Sequence, residues 1–395
     1  MEYIDGKEKN GIKYDYTKIR KEFKKLKCPS YVYNPLHIPF DKTKWNIIMS
    51  ERNRGKTTNL LLLGLVFNKL YGTTVIYMRT KEEMIMKKNI EKLFDAINEF
   101  NYPEKLTDGL YNKIVYNSRK WFYAKTDADG KIIEKSDNAI CIDLSIDKAE
   151  VYKSALALPK ADFIIFDEFI EKYYYPTQFL DLTNLLSTLI RSRRSAHIFL
   201  SANSIDRNTM WFRELMINDE LDDMEQGDTK IITTAKGTHV YVEILGHKDK
   251  EARKTQNEIT KLYFGFENEK LSAITGDETW AVANFPHTPD KFKILNKKHY
   301  LEFNNKLVNM EVCLDTENGV NFINCHYATK TYDDSVIYSM EFNLDKRYRN
   351  GFGFTRGDNY IWEKFKRDRF TYADNSVGAL IERYYEIARK QKFRN

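Results

Sequence analysis

Short runs of apolar residues recur along the first part of the chain, and they are apolar at successive positions rather than at alternate ones. Residues 45–49 (WNIIM), 73–78 (TTVIYM), 162–166 (DFIIF) and 196–201 (AHIFLS) have strand length and β-branched or aromatic content. A strand apolar on both faces is covered on both faces, as in a parallel sheet. Helix-length segments lie between these runs. Residues 57–70 (TTNLLLLGLVFNKL) predict a buried helix, residues 81–100 an amphipathic one, and residues 180–191 a third. Residues 238–245 (THVYVEIL) read as the last strand of the set, and residues 1–44 as a polar, Lys- and Tyr-rich lead-in. The alternation predicts an α/β fold, a mostly parallel sheet with helices on both faces. A hairpin is predicted where Asp129-Gly130 separates the strand-like runs 120–125 and 131–134.

The texture then changes. A very polar stretch opens at residue 247 and reads as a linker or lid, assigned to 247–285. Beyond it come short aromatic strands at 310–314, 320–323 and 336–342, and a closing helix at 377–390. The division expected is therefore 1–246, 247–285 and 286–395, the last a smaller α/β domain. A chain of 395 residues agrees with two domains.

Composition adds exclusions. The net charge of +6, from 63 basic and 57 acidic residues, permits a nucleic-acid partner without requiring one. Cys28, Cys141, Cys313 and Cys325 show no CxxC spacing, which argues against a zinc site or disulfide framework and for reduced thiols in a cytosol. The N-terminus is charged from its second residue and does not read as a signal peptide. The longest apolar run, 60–67, is far short of the roughly 20 residues a bilayer needs, so no membrane partner is expected.

The chemistry concentrates at the strand ends. Ser50, Glu51, Arg52, Asn53, Arg54, Gly55, Lys56 and Thr57 fit a phosphate-binding loop with Ser in place of its first Gly, and Thr58 opens the helix behind it. Gly55 lets the backbone turn its N–H groups toward phosphates. Lys56 neutralises β/γ-phosphate charge, the Thr57 hydroxyl ligates Mg²⁺, and the helix N-terminus faces the anion. The strand at 162–166 delivers Asp167 and Glu168 at its C-terminal end, where α/β sheets bind ligands. Asp167 would hold Mg²⁺ through water, and Glu168 would orient and activate the attacking water. The adjacent pair favours hydrolysis over binding alone. Arg191, Arg193 and Arg194 precede the next strand and suit a trans-acting arginine, a DNA-phosphate contact or a solvated helix end. Asn203 lies just past that strand, as a γ-phosphate sensor or a turn residue.

In their order, over residues 45–215, these motifs resemble the large terminases and small-podophage encapsidation ATPases that package viral genomes. Arg79 after the second strand and the Trp211-Phe212 pair belong to the resemblance. It implies an ASCE-type P-loop NTPase domain followed by a ribonuclease-H-like one. ATP is the implied fuel, Mg²⁺ the cofactor, and Arg52 a catalytic arginine of the loop, with Arg54 its competitor. The implied partners are double-stranded DNA, a portal or connector and a structural RNA. A homo-oligomeric ring, a pentamer, is implied, working in the host cytoplasm and transiently on the prohead. Asp315 falls where the family's first nuclease acid lies and Asp374 where the last lies, while Asp333 and Asp334 do not make a convincing middle acid. Two-metal cleavage needs clustered carboxylates, so the incomplete set implies a vestigial nuclease. The alternatives are a full terminase with an active nuclease, a helicase-like or signalling NTPase, and a nucleotide-binding structural module.

Overall fold

The computed structural model describes residues 12–391 apart from 31, 51–53, 156–160, 171–176, 192, 204–208, 222–223, 246–284, 342 and 351–355. The chain forms two compact units. The first comprises Met1–Glu171, Tyr175–Ile205 and Leu215–Gln256, and the second Lys172–Tyr174, Asp206–Glu214 and Asn257–Asn395. The segment expected as linker or lid lies, but for Phe285, outside the described residues.

The first unit is built on a sheet ordered β3-β4-β6-β2-β7-β8-β1-β10-β9, with β5 also on β4. Its parallel centre is β6 (Cys141–Ser145), β2 (Val75–Arg79), β7 (Phe163–Asp167), β8 (His197–Ala202), β1 (Trp45–Met49) and β10 (His239–Ile244). β6, β7 and β8 are buried at every position, as continuous apolar runs predict. Antiparallel strands close both edges: β3 (Lys113–Asn117), β4 (Lys120–Thr126) and β5 (Ile132–Lys135) on one side, β9 (Thr229–Thr233) on the other. The predicted hairpin is β4–β5. The strand predicted at 238–245 is β10, the last strand of this unit along the chain, and β9, earlier in sequence, pairs outside it.

Helix α1 (Tyr16–Lys25) and Tyr14, Tyr33, Ile38 and Phe40 are part of the core, so the polar lead-in also supplies core residues. α2 (Lys56–Tyr71) is buried along residues 59–67, and Gly64 brings it close to the sheet: an added Cβ would lie 2.6 Å from Val75 Cγ2 and 2.9 Å from Phe163 Cδ1. The single helix expected at 81–100 is instead a 3₁₀ turn at Glu82–Ile85, then α3 (Lys87–Ile90) and α4 (Asp95–Glu99). Met86 is extended (φ −62°, ψ 146°), and the break lets Ile85, Ile90, Phe94 and Ile97 all reach the core. Short helices α5 (Tyr102–Leu106) and α6 (Ala149–Ala155), then α7 (Gln178–Ile190) and α9 (Asn218–Leu221), complete the unit.

The β3–β4 turn passes through Ser118 (φ 50°) and Arg119 (φ 66°), the two left-handed positions of a type I′ turn. Arg119 occupies the place glycine usually takes. Its Nε donates to Asp143 Oδ1 (2.9 Å), its Nη2 to the Tyr152 hydroxyl (2.9 Å), and its Nη1 to Glu82. Burial pushes the Asp143 carboxyl up to about 6, with Arg119 pulling the other way.

The second unit is a sheet ordered β16-β15-β12-β13-β14-β17, with β11 (Phe292–Asn296) on β13. β12 (His299–Phe303), β13 (Lys306–Asp315) and β14 (Asn321–Ala328) form an antiparallel meander. β15 (Val336–Ser339), β16 (Tyr348–Asn350) and β17 (Phe370–Tyr372) flank it. α11 (Asn375–Gln391) lays Val377, Leu380, Ile381 and Tyr384 against Val308, Met310, Ile323 and Cys325. α8 (Met210–Glu214) and α10 (Arg356–Lys366) complete this unit.

Candidate nucleotide-binding site

The parallel strands of the first unit deliver their polar ends to one edge of the sheet. β1 runs into Ser50, which is buried, with its N–H donating to Ala202 O (3.2 Å). Glu51, Arg52 and Asn53 lie outside the described residues. Gly55 is left-handed (φ 68°), and a Cβ there would meet Val32 Cβ at 3.0 Å. The Tyr33 N–H donates to Arg54 O (2.8 Å), and the Asn59 side-chain amide donates to Tyr33 O. The segment before β1 thus braces the loop from outside. It also walls a cavity of about 270 Å³ lined by Phe23, Cys28, Val32, Tyr33, Leu36 and Asn59.

At the start of α2, Lys56 is buried and its Nζ donates to Ser50 Oγ and to Asn203 Oδ1 (3.0 Å). Thr58 lies in the same first turn. Thr57 Oγ1 donates to Asp167 Oδ2 (3.0 Å). β7 and β8 are neighbours in a register that sets Asp167 opposite Ser201, whose hydroxyl donates to Asp167 Oδ1. From β2, the Tyr77 hydroxyl reaches Asp167 Oδ2 (2.9 Å). Burial, reinforced by the Asp167 charge, pushes the Tyr77 hydroxyl far above its ordinary range, so it stays a proton donor.

Glu168 lies one residue beyond the strand with a left-handed backbone (φ 52°), uncommon for a residue with a side chain. Its Oε1 accepts from Asn203 Nδ2 (3.1 Å) and its Oε2 pairs with Arg79 Nη2, while Arg79 Nη1 faces the Tyr77 hydroxyl (3.4 Å). Lys56, Asn203, Glu168, Arg79, Tyr77, Asp167 and Thr57 therefore form one chain of polar contacts. Tyr77 and Ser201 are members that sequence reasoning missed. Each sits in an apolar strand and reads as core until the register is known.

The arginine cluster lies at the other end of the sheet. Asp162 and Asp167 bracket β7, five residues or about 17 Å apart. Arg193 Nε is 2.6 Å from Asp162 Oδ1, and its Nη2 donates to Leu189 O. Asp162 is fully buried and also accepts from the Tyr14 hydroxyl (3.0 Å) and from Ser195. Arg193 is thus committed inside its own unit. Arg191 (φ 52°) and Arg194 are exposed, and neither is near the chain's own Glu168.

In the second unit the two acids carried over from the resemblance do not converge. Asp315 caps a turn, accepting from the N–H groups of Glu317 (2.9 Å) and Asn318 (3.0 Å) and from Asn318 Nδ2 (2.8 Å). Asp374 caps α11, accepting from the N–H groups of Ser376 (2.8 Å) and Val377 (3.1 Å). The Asp315 N–H bonds Val320 O and the Ala373 N–H bonds Cys325 O. The two aspartates thus sit at levels of β14 about 17 Å apart. Asp334 pairs with Lys298 and Asp333 is exposed. Among the described residues no group of three or more His, Cys, Asp or Glu is placed to hold a metal. In this structure both carboxylates are engaged as caps of backbone N–H groups.

No protein-family model matches the sequence, and no curated protein matches it. Solved structures do. One is the bacteriophage Phi-29 viral genome packaging motor assembly, at 15% identity and a TM-score of 0.55 over 92% of this chain and 99% of that one. Another is the Phi-28 gp11 DNA packaging motor, at 14% identity and a TM-score of 0.51 over 91% and 99%. At such identities the likeness is one of fold. Over nearly its whole length the chain shares the fold of these phage DNA-packaging motors.

Proposed function

We propose that the chain is an ATPase that drives double-stranded DNA into a viral prohead. The observation that carries this reading is the meeting of Lys56, Thr57, Asp167, Glu168 and Asn203 at one sheet edge. The fold shared with two packaging motors supports the cargo.

The nucleotide's phosphates lie over the loop and the N-terminus of α2. Lys56 leaves Ser50 and Asn203 to meet the β/γ-phosphates. The base enters the cavity beside Tyr33 and Asn59. Thr57 and Asp167 are a hydroxyl and a carboxylate in direct contact, the hard oxygen donors Mg²⁺ takes. When bound there, the ion would supply charge neutralisation at the phosphates. Ser201 and Tyr77 hold Asp167 in place for it. Glu168, once released from Arg79 and Asn203, orients the attacking water, and Asn203 senses the γ-phosphate. Arg52 acts within the loop. Arg191 or Arg194 of a neighbouring copy supplies the trans charge, which makes a homo-oligomeric ring, a pentamer, the working form. The ring assembles on a portal with its structural RNA in the host cytoplasm. The first unit is the motor, and the second is a docking or DNA-gripping module that does not cut.

Glu168→Gln tests the assignment. ATP turnover should fall at least about 100-fold while nucleotide binding persists. Unchanged turnover would return the chain to the nucleotide-binding structural module.

A further inference from the structure

The antiparallel extension β3-β4-β5 has two unlike faces. Ile114, Tyr116, Trp121 and Tyr123 point inward, Trp121 lying 5.4 Å from the Phe94 ring and 4.9 Å from Tyr116. Alternation turns the residues between them to the other face: Lys113, Val115 and Asn117 from β3, and Lys120, Phe122 and the fully buried Ala124 from β4. The register places Lys113 and Lys135 on either side of Ala124. Lys113 and Lys135 are thus two strand spacings apart, about 10 Å, and Lys120 is about 13 Å along β4 from that pair.

All three lysines are exposed, and among the described residues none has an acidic partner. Lys135 Nζ stands 4.3 Å from the centre of the Phe122 ring, its stem covering apolar surface while its head stays in water. Glu134 takes the other face, opposite Lys125 and bonded by the Tyr111 hydroxyl (3.4 Å). Asp127 is used inside the β4–β5 turn, accepting from the N–H groups of Asp129 and Lys131. Within the three strands the charged positions of this face are all lysines, a departure from the mixed charges of an ordinary solvated surface. Lysines that guard a sheet belong on its edges, whereas β4 is paired on both sides and still carries Lys120.

We infer that Lys113, Lys120 and Lys135 form a contact face for the phosphate backbone of double-stranded DNA. The inference rests on the packaging reading, since it names where the cargo is gripped. The phosphates of a duplex follow one another closely enough for three such cations to be neutralised together.

The test is the full chain with Lys113, Lys120 and Lys135 all changed to Gln, titrated onto a labelled 30-bp duplex at several salt concentrations. The slope of log K against log salt should shrink by about 2 to 3, near 0.9 for each phosphate that no longer meets a lysine. Affinity at low salt should fall at least tenfold, ATP turnover without DNA should not change, and the triple Arg variant should restore binding. Lys125→Gln, on the opposite face, should leave the slope alone. An unaltered slope in the triple variant, or a loss confined to single strands or RNA, overturns the assignment. A wild-type chain that hydrolyses ATP yet binds no duplex overturns it too, while a failure of Glu168→Gln to lower turnover counts against the ATPase reading instead.

Discussion

Arg193→Met separates a structural arginine from a trans-acting one. In the native chain Arg193 is the cation facing Asp162, whose carboxylate is fully buried. Removing the guanidinium leaves that charge with the Tyr14 and Ser195 hydroxyls and the field of the Lys44 ammonium. Breaking a buried pair from one side costs about 3–5 kcal/mol, and the two surviving hydroxyl bonds put this case near 3. For a unit of this size, that lowers the melting temperature by about 6–12 °C. Calorimetry of the isolated chain reads it directly, without a ring or DNA. Asp162→Asn in the same background should recover much of the loss, because the uncompensated charge is gone. Arg194→Met and Arg191→Met should stay within about 0.5 kcal/mol of the parent. If Arg193→Met melts like the parent but abolishes turnover in the assembled ring, the structural role is wrong and Arg193 is itself the residue presented in trans.

Two further outcomes follow from buried groups. His197 is fully buried among Tyr16, Phe40 and Phe67, its Nε2 3.0 Å from the Tyr16 hydroxyl, and burial lowers its pKa from 6.5 to about 3. Between those values the unfolded chain binds the proton and the folded one does not, so His197 costs stability as pH falls below 6.5. By pH 5 the cost is about 2 kcal/mol, and His197→Gln should flatten the urea-midpoint profile by that amount relative to the parent. Tyr77→Phe removes one of three donors to Asp167 and should raise the Mg²⁺ concentration needed for half-maximal turnover about tenfold, with little change in ATP affinity at saturating Mg²⁺. An unchanged Mg²⁺ requirement would remove Tyr77 from the site.

What the sequence revealed of this site was its contiguous part. The loop pattern over 50–57 and the Asp167-Glu168 pair are local in sequence, each following an apolar strand, and among the described residues Lys56, Thr57, Asp167 and Glu168 join one chain of contacts. Register made the rest. Ser201 reaches Asp167 only because β8 pairs with β7 in one alignment, and Arg193 meets Asp162 across 31 positions of chain. Periodicity joined residues 81–100 into one helix because it sees which residues are apolar and not that Met86 is extended. The lead-in read as polar because its buried tyrosines and phenylalanines are scattered among lysines. In the second unit, Asp315 and Asp374 matched family positions in order, yet order along the chain says nothing of distance across β14.

Arg119 sits where a I′ turn asks for glycine, and the turn bears that mismatch while its side chain holds Asp143, Tyr152 and Glu82. Glu82 follows Arg79 by three residues on the segment leaving β2, and Arg79 grips Glu168. Tension on the lysine-bearing hairpin thus has a short, ion-paired route to the Glu168 carboxylate. A motor built this way would sense load at its fuel site through one arginine in a two-residue turn.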